Sequence, residues 1–514
     1  MRIVFLPVDE RFCTRDYMMH MGKSFNLDIE TPPIALLGQK KIPGDVDAIY
    51  TWLENTIDNG DTLILSLDTL IYGGLIPSRI NRLTEQTLLK RLKRIRPFRQ
   101  KAGRIYLTST VMRIPQYNSE DEEPVYWEYF GKRLHDFTKV LAGTIKKRIN
   151  DGHPFRFESY KTIIDENKSH KLLEDVPLWV IDDYFDRRIK NAGMIEKTFS
   201  LVQEGIVDYF NLTLDDNGKD SLSLIEAARH QQTVDSLRIN EKCAIHPGAD
   251  EATLTLLSRA VCQKFNIIPP MEIQYLFEDK KDIVPPYEGD TLDQTIKNHI
   301  RAAGGRVGQS SIKLLVNNSE TEEWIESPEQ DRQCRNETDG AWLEKRLKEN
   351  EILGLVDIRY PNGSDRLFVK QLLARKRDWK RINYAAWNTP SNTIGTVVAF
   401  SILQYLAAKS YLQIDSESME RFQQIMLLEQ YGYQANLREE LRRQSYQRGC
   451  SIWTLLPVEK WAESFAQTKL ADIQTEVEKS FNHHFNLEVF FPWHRSFEIG
   501  IRLSKQAGKH RILI

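Results

Sequence analysis

The sequence predicts an α/β fold, most simply a (β/α)8 barrel, with a doubly wound parallel sheet as the alternative. Three observations carry that prediction. Short apolar runs recur along the 514 residues, they lack apolar/polar alternation, and helix-like segments separate them. Runs without alternation suit strands buried on both faces, as in a parallel sheet covered by helices.

In order, the runs are residues 3–8 ending at Asp9-Glu10-Arg11, 62–67 ending at Asp68, 104–111 ending at Met112-Arg113, and 207–214 ending at Asp215-Asp216. Then come 242–245 ending at His246-Pro247-Gly248, 312–316 ending at Asn317-Asn318, 353–358 ending at Arg359-Tyr360, and 383–386 ending at Trp387-Asn388-Thr389. Two weaker runs, 27–31 and 271–277, are candidate replacements. Residues 45–58 follow Pro43-Gly44 and carry Ile49, Trp52, Leu53 and Ile57 at helical spacing; 220–235, 250–264 and 392–408 read the same way.

Residues 121–200 read as a helical insertion after the third run, within a barrel-like domain spanning 1–408. Residues 409–514 read as a smaller, helix-rich accessory region ending in an amphipathic strand pair near 486–491 and 496–501. The polar, acidic stretch 317–350 reads as a surface excursion. Polar residues gather after the C-terminal ends of the runs, the edge where parallel α/β folds build their sites.

A net charge of −2 and the absence of a long basic run argue against a nucleic-acid surface. The basic stretch Lys90 to Arg96 reads as a solvated helix face. Five scattered cysteines without CxxC spacing favour a reducing cytoplasm over a disulfide framework. The first apolar run is too short for a signal-peptide core, and no stretch approaches a membrane span, so no membrane partner is expected.

Among the candidate site residues, Asp215 and Asp216 come first. Neighbouring strand residues point to opposite faces. Here the strand is ending, and Asn217-Gly218 permits a sharp turn that can bring both carboxylates to one pocket. The alternative is a cap ahead of the helix near Asp220. His246 and Asp250 can contact metal or substrate, although Asp250-Glu251 equally suits a helix first turn. The other histidines show no paired ligand spacing, so no bound metal and no cofactor are expected. Asp68, Tyr72, Gly73 and Gly74 place a carboxylate, a phenol and two glycines after a strand, either around a ligand or in a tight turn. Trp387, Asn388 and Asn392 join an aromatic face to two amides, a set suited to a sugar, with a helix cap as the alternative for one amide. GxSxG, HExxH, Walker and CxxC motifs are absent.

The segments FLPVDER, SLDTLIYGGLIPSR, LTLDDNG, HPGADE and AAWNTPSNTIG together resemble the uncharacterised bacterial family DUF4127, from about residue 3 to about residue 440. Phe12 stands where that family usually has Pro. The arrangement also resembles, more weakly, the O-GlcNAcase type of substrate-assisted hexosaminidase, a (β/α)8 barrel with an adjacent Asp pair after the fourth strand. That resemblance implies an enzyme: a glycoside hydrolase acting on an amino-sugar-containing glycan or glycopeptide by a substrate-assisted retaining mechanism. It implies that Asp215 orients the acetamido group and Asp216 is the general acid/base. Asp68, Tyr72, Asn388 and Asn392 would hold the sugar. Arg11 and Arg79 suit an anionic substituent. Two alternatives stand beside it: a metal-dependent hydrolase using Asp9, Asp68, Asp215, His246 and Asp250, and a carbohydrate-binding protein without turnover.

Overall fold

The computed structural model describes residues 1–218, 220–321, 338–347, 351–375 and 378–505. They form two compact units. The first comprises Met1–Glu10, Leu27–Ile268 and Asp282–Arg306; the second comprises Arg11–Asn26, Pro269–Lys281 and Val307–Ile514. Residues 409–514 thus belong to the unit that begins its main segment at Val307.

The first unit is built on β1 (Arg2–Leu6), β2 (Asp28–Glu30), β3 (Thr62–Ser66), β4 (Arg104–Val111), β5 (Tyr209–Leu214) and β6 (Cys243–Pro247). They make one six-stranded sheet in the order β2-β1-β3-β4-β5-β6, with every pairing parallel. Register places Thr213 of β5 opposite His246 of β6. β3 and β5 are buried along their whole length, which is why these runs show no alternation. One face packs Val4, Leu6, Leu63, Leu65, Leu107, Phe210 and Leu212 with Ile49 and Leu53 of helix Val46–Thr56 and with Phe199 of helix Leu178–Gln203. The insertion after β4 is helical as expected. Helices Trp127–Asn150, Tyr160–Asn167 and Leu178–Gln203 contribute Trp127, Leu134, Phe137, Tyr160 and Tyr184 to a core of their own.

The second unit holds β7 (Pro270–Tyr275), β8 (Arg306–Val307, which begins one residue before the division), β9 (Ile312–Asn317), β10 (Ile352–Asp357) and β11 (Ile382–Ala385). Their order is β8-β7-β9-β10-β11, and β7–β9, β9–β10 and β10–β11 pair in parallel. The edge strand β11 does not leave all its backbone open. The side chain of Gln423 accepts from Tyr384 N at 3.0 Å, and that of Gln430 accepts from Ala386 N at 2.6 Å. Gln430 lies in a π-helical stretch, Leu427–Leu437. The expected C-terminal strand pair is present as antiparallel β12 (Phe485–Phe490) and β13 (Gly500–Lys505), the second strand starting later than the sequence suggests.

All eight apolar runs are strands, and both weaker runs are strands too. The barrel is the correction. The runs divide between two open sheets, so among the described residues the doubly wound alternative fits. A closed barrel and an open parallel sheet use the same buried strands; they differ only in strand order, which is non-local. Most of the acidic stretch 317–350 lies outside the described residues. Among the described residues, no helix is long and apolar enough to cross a membrane.

Candidate functional site

In both sheets the strand order reverses beside the first strand, between β1 and β3 and between β7 and β9, and crevices at such reversals open at the carboxyl ends of the strands. Asp9, Asp68, Asp215 and His246 follow or end strands of the first sheet; Trp387 follows β11 of the second. A single barrel would set all five on one rim; the structure corrects this for Trp387. Arg11, Asn388 and Asn392 also belong to the second unit.

The doublet at the end of β5 is resolved by its backbone. Asp216 adopts a left-handed conformation at φ +34°, so the two carboxylates leave a turn rather than a strand. Asp215 pairs with Arg79, and Asp216 Oδ2 accepts from Arg113 Nη1 at 2.8 Å. The two arginines meet on common partners. Arg113 Nη2 donates to Glu122 Oε2 at 2.6 Å and its Nε to Glu123 Oε1 at 3.0 Å, while Arg79 Nη1 lies 3.4 Å from Glu122 Oε2 and 3.6 Å from Glu123 Oε1. Four carboxylates thus surround two guanidiniums, leaving an excess of negative charge. Burial, then the Asp216 charge, pushes the Asp215 carboxyl up to about 6 against the pull of Arg79. The capping alternative does not hold. The next helix, Leu222–Leu237, is capped by Ser221, whose side chain accepts from Ser223 N.

Asp68 lies in the first turn of helix Leu67–Tyr72, which Ser66 caps by accepting from Thr69 N. Its carboxyl spans to β4, accepting from Ser109 Oγ and from Thr110 N, each at 3.1 Å. Burial pushes it up to about 7 despite these bonds. The Tyr72 hydroxyl is buried and has no hydrogen-bond partner among the described residues. Gly73 takes φ +89° at the helix end, where an added Cβ would lie 2.9 Å from the Gly44 backbone, so this pair of glycines serves a close chain crossing. Asp9 is buried, and its neighbour Glu10 accepts from Lys40 N at 2.8 Å.

An aromatic-walled cavity of about 420 Å³ opens beside Glu123, with Tyr126, Tyr129, Trp179, Lys41 and Arg187 in its lining. Tyr129 and Trp179 stand 70% and 58% exposed, offering open ring faces. The volume falls in the range of small-molecule sites.

At the end of β6, His246 Nδ1 lies 2.7 Å from Pro247 O and Nε2 lies 2.9 Å from Asn211 Oδ1. Glu251 accepts from Ala249 N at 2.9 Å and lies 3.0 Å from His299 Nε2. The rings of His246 and His299 are edge to face at 4.4 Å. Burial, then the neighbouring His299, pushes His246 down to about 3, whereas for His299 burial, the largest single effect, is outweighed by the bond to Glu251, its charge and the Thr295 carbonyl together, which raise it. The ligand atoms of His246, Glu251 and His299 all lie within 4.8 Å of one another, a grouping that can hold a metal. Asp250 is buried on the same loop.

The second unit has its own carboxylate pair. Asp357, at the end of β10, accepts from Tyr384 Oη at 2.7 Å, from Asp365 N at 2.9 Å and from Asn317 Nδ2 at 2.8 Å. Burial, then the Asp365 charge, pushes Asp357 up to about 7. Trp387 is buried edge-on to Phe497, Asn388 takes φ +53°, and Asn392 is buried in helix Pro390–Ala408. The residue capping that helix is Thr389, without a side-chain bond. Arg11 stacks over Trp493 at 4.6 Å. Phe12 opens a π-helical turn, Phe12–Asp16, where its ring meets Tyr17 and Phe490.

Sequence reasoning missed Arg113, Glu122, Glu123, Glu251, His299, Asp357 and Asp365 as site residues. Arg113 and Asp357 at strand ends carried a signal of position; Glu122-Glu123, in a loop, and His299, in a helix, carried none.

No curated protein and no solved structure matches the chain. A family model does match, over residues 3–502, and the chain belongs to the family described as protein of unknown function, DUF4127.

Proposed function

We propose that the first unit is a glycoside hydrolase acting on an amino-sugar-containing glycan or glycopeptide, with Asp215 and Asp216 as its working carboxylates. The carrying observation is the turn at Asp216, which sends two adjacent carboxylates into one arginine-bridged cluster with Asp215 raised to about 6. Two carboxylates whose surroundings push their proton affinities apart can divide acid and base roles. The proton-holding role then falls to Asp215, because burial raises its carboxyl to about 6, so that it takes up a proton at a higher pH than an ordinary aspartate. Asp216, held by Arg113, suits the orienting role. This reverses the division that the hexosaminidase resemblance implies, and the reading does not rest on a barrel. The aromatic cavity beside Glu123 supports a sugar as the ligand, since ring faces stack on sugar faces.

Aryl and natural N-acetylamino glycosides test this. Asp215→Asn is expected to lower turnover by about 10²–10⁴-fold on substrates with poor leaving groups and by less on activated aryl glycosides. Asp216→Asn is expected to slow all acetamido substrates alike. Circular dichroism and thermal melting establish that each variant is folded. Full turnover of a poor-leaving-group substrate by folded Asp215→Asn ends this assignment.

A further inference from the structure

We propose that His246, Glu251 and His299 hold a buried divalent metal ion of the zinc class. The proposal does not depend on the glycosidase reading.

His299 Nδ1 lies 2.9 Å from the carbonyl of Thr295, one turn back in helix Leu292–Ala302, and a carbonyl can only accept. The Nδ1 proton is thereby committed, and in a neutral ring Nε2 is a lone pair. That lone pair faces Glu251 Oε1 at 3.0 Å, itself an acceptor when ionised. His246 repeats the pattern. Its Nδ1 faces the Pro247 carbonyl and its Nε2 faces Asn211 Oδ1. Either neutral tautomer leaves one of those contacts without a proton. The amide orientation is fixed by its neighbours. Thr255 Oγ1 donates to Ala252 O at 2.8 Å, so the amide nitrogen of Asn211 must supply the proton between Asn211 and Thr255.

With Glu251 ionised, the form its surroundings favour, protons alone satisfy this cluster only if both imidazoles are charged. Two imidazoliums would then sit with ring centroids 4.4 Å apart, and both rings are shielded from solvent. A divalent cation would take one lone pair from each imidazole and one from the Glu251 carboxylate at once. Backbone carbonyls fixing the distal N–H of each ligating histidine form the support that metal-bound histidines commonly show. Two imidazole nitrogens and a carboxylate are a zinc-type donor set. Tetrahedral zinc ligands at about 2.0–2.1 Å stand roughly 3.3 Å apart, inside the 4.8 Å span of this group.

The metal would join the loop after β6 to helix Leu292–Ala302. That loop borders the Asp215 strand, since Gly248 N donates to Leu214 O at 3.1 Å. Gly248 is at φ +140°, and an added Cβ would lie 2.0 Å from Glu251 Oε1, so the backbone comes close to the proposed ligand. The sequence expectation of no metal came from histidine spacing, and His299 lies 48 residues beyond Glu251.

The test uses the full chain, stripped with chelator and reloaded with zinc or cobalt(II), then passed through gel filtration. Elemental analysis is expected to find about one equivalent of retained metal per chain. Cobalt loading is expected to give the visible d–d absorption of a low-coordinate site. Chelator is expected to lower the melting temperature and zinc to restore it. His246→Ala and His299→Ala are each expected to bind metal at least about 10-fold more weakly. Should those variants fail to fold, the measurements on the unaltered protein still decide. No retained zinc, cobalt, manganese or iron in the unaltered protein, with a melting temperature indifferent to chelator and zinc, would overturn the proposal. So would folded variants that retain metal as the unaltered chain does.

Discussion

Asp68 provides a sharp test of the electrostatics at the first sheet's rim. Its carboxyl is 2% exposed and is pushed from 3.8 up to about 7. Between those values the folded chain binds a proton that the unfolded chain does not. Stability from this group is therefore full below about pH 3.8 and is lost as pH rises through about 7. Each tenfold change in proton affinity is worth about 1.4 kcal/mol. Linkage then gives a penalty of about 2 kcal/mol at about pH 5 and about 4 kcal/mol at about pH 8. Asp68→Asn mimics the protonated acid: its carbonyl can accept from Thr110 N, and its amide can donate to Ser109 Oγ, whose proton then turns elsewhere. Relative to the natural protein, the variant is expected to gain roughly 2–3 kcal/mol between about pH 5 and about pH 8. Urea unfolding of both proteins at the two pH values measures this double difference, in which the other titrating groups cancel. A variant whose relative stability is flat with pH, or falls at the higher value, would refute the argument that burial dominates the bonds from Ser109 and Thr110.

Two further outcomes follow from buried charge. Arg79→Met removes the guanidinium between Asp215, Glu122 and Glu123; because Arg79 is 2% exposed, the variant is expected to lose about 3–5 kcal/mol near neutral pH and less in acid, read by urea unfolding. Glu429 is wholly buried, accepts from Tyr17 Oη at 2.5 Å and is pushed from 4.5 up to about 8 by burial, so by the same linkage Glu429→Gln is expected to gain about 2 kcal/mol relative to the natural protein between about pH 4 and about pH 6 and about 2 kcal/mol more by about pH 8, levelling off above it, which urea unfolding across that window measures.

The sequence alone located the strands and the rim chemistry that follows them. A run such as Thr62–Ser66 or Tyr209–Leu214 is apolar because it is buried on both faces, and that requirement is written locally. The positions of Asp9, Asp68, Asp215 and His246 at strand ends were legible for the same reason, as was a turn after Leu214, although its left-handed residue is Asp216 itself and not Asn217 or Gly218. Other features were decided only in three dimensions. Strand order divides the runs between two sheets, and order depends on crossovers that leave each strand's composition unchanged. The partners of the aspartate doublet come from a helix at Arg79, the end of β4 at Arg113 and a loop at Glu122-Glu123, so the charge cluster has no local signature. His299 reaches Glu251 from a distant helix, and spacing rules that look for ligands a few residues apart are blind to it. The glycines after Asp68 looked open to a ligand, but packing fills the space at Gly73 with the backbone of Gly44. Local burial writes itself into a run of residues; who faces whom across the fold is set by long-range packing, where one side chain is neutralised, raised or lowered by another far along the chain.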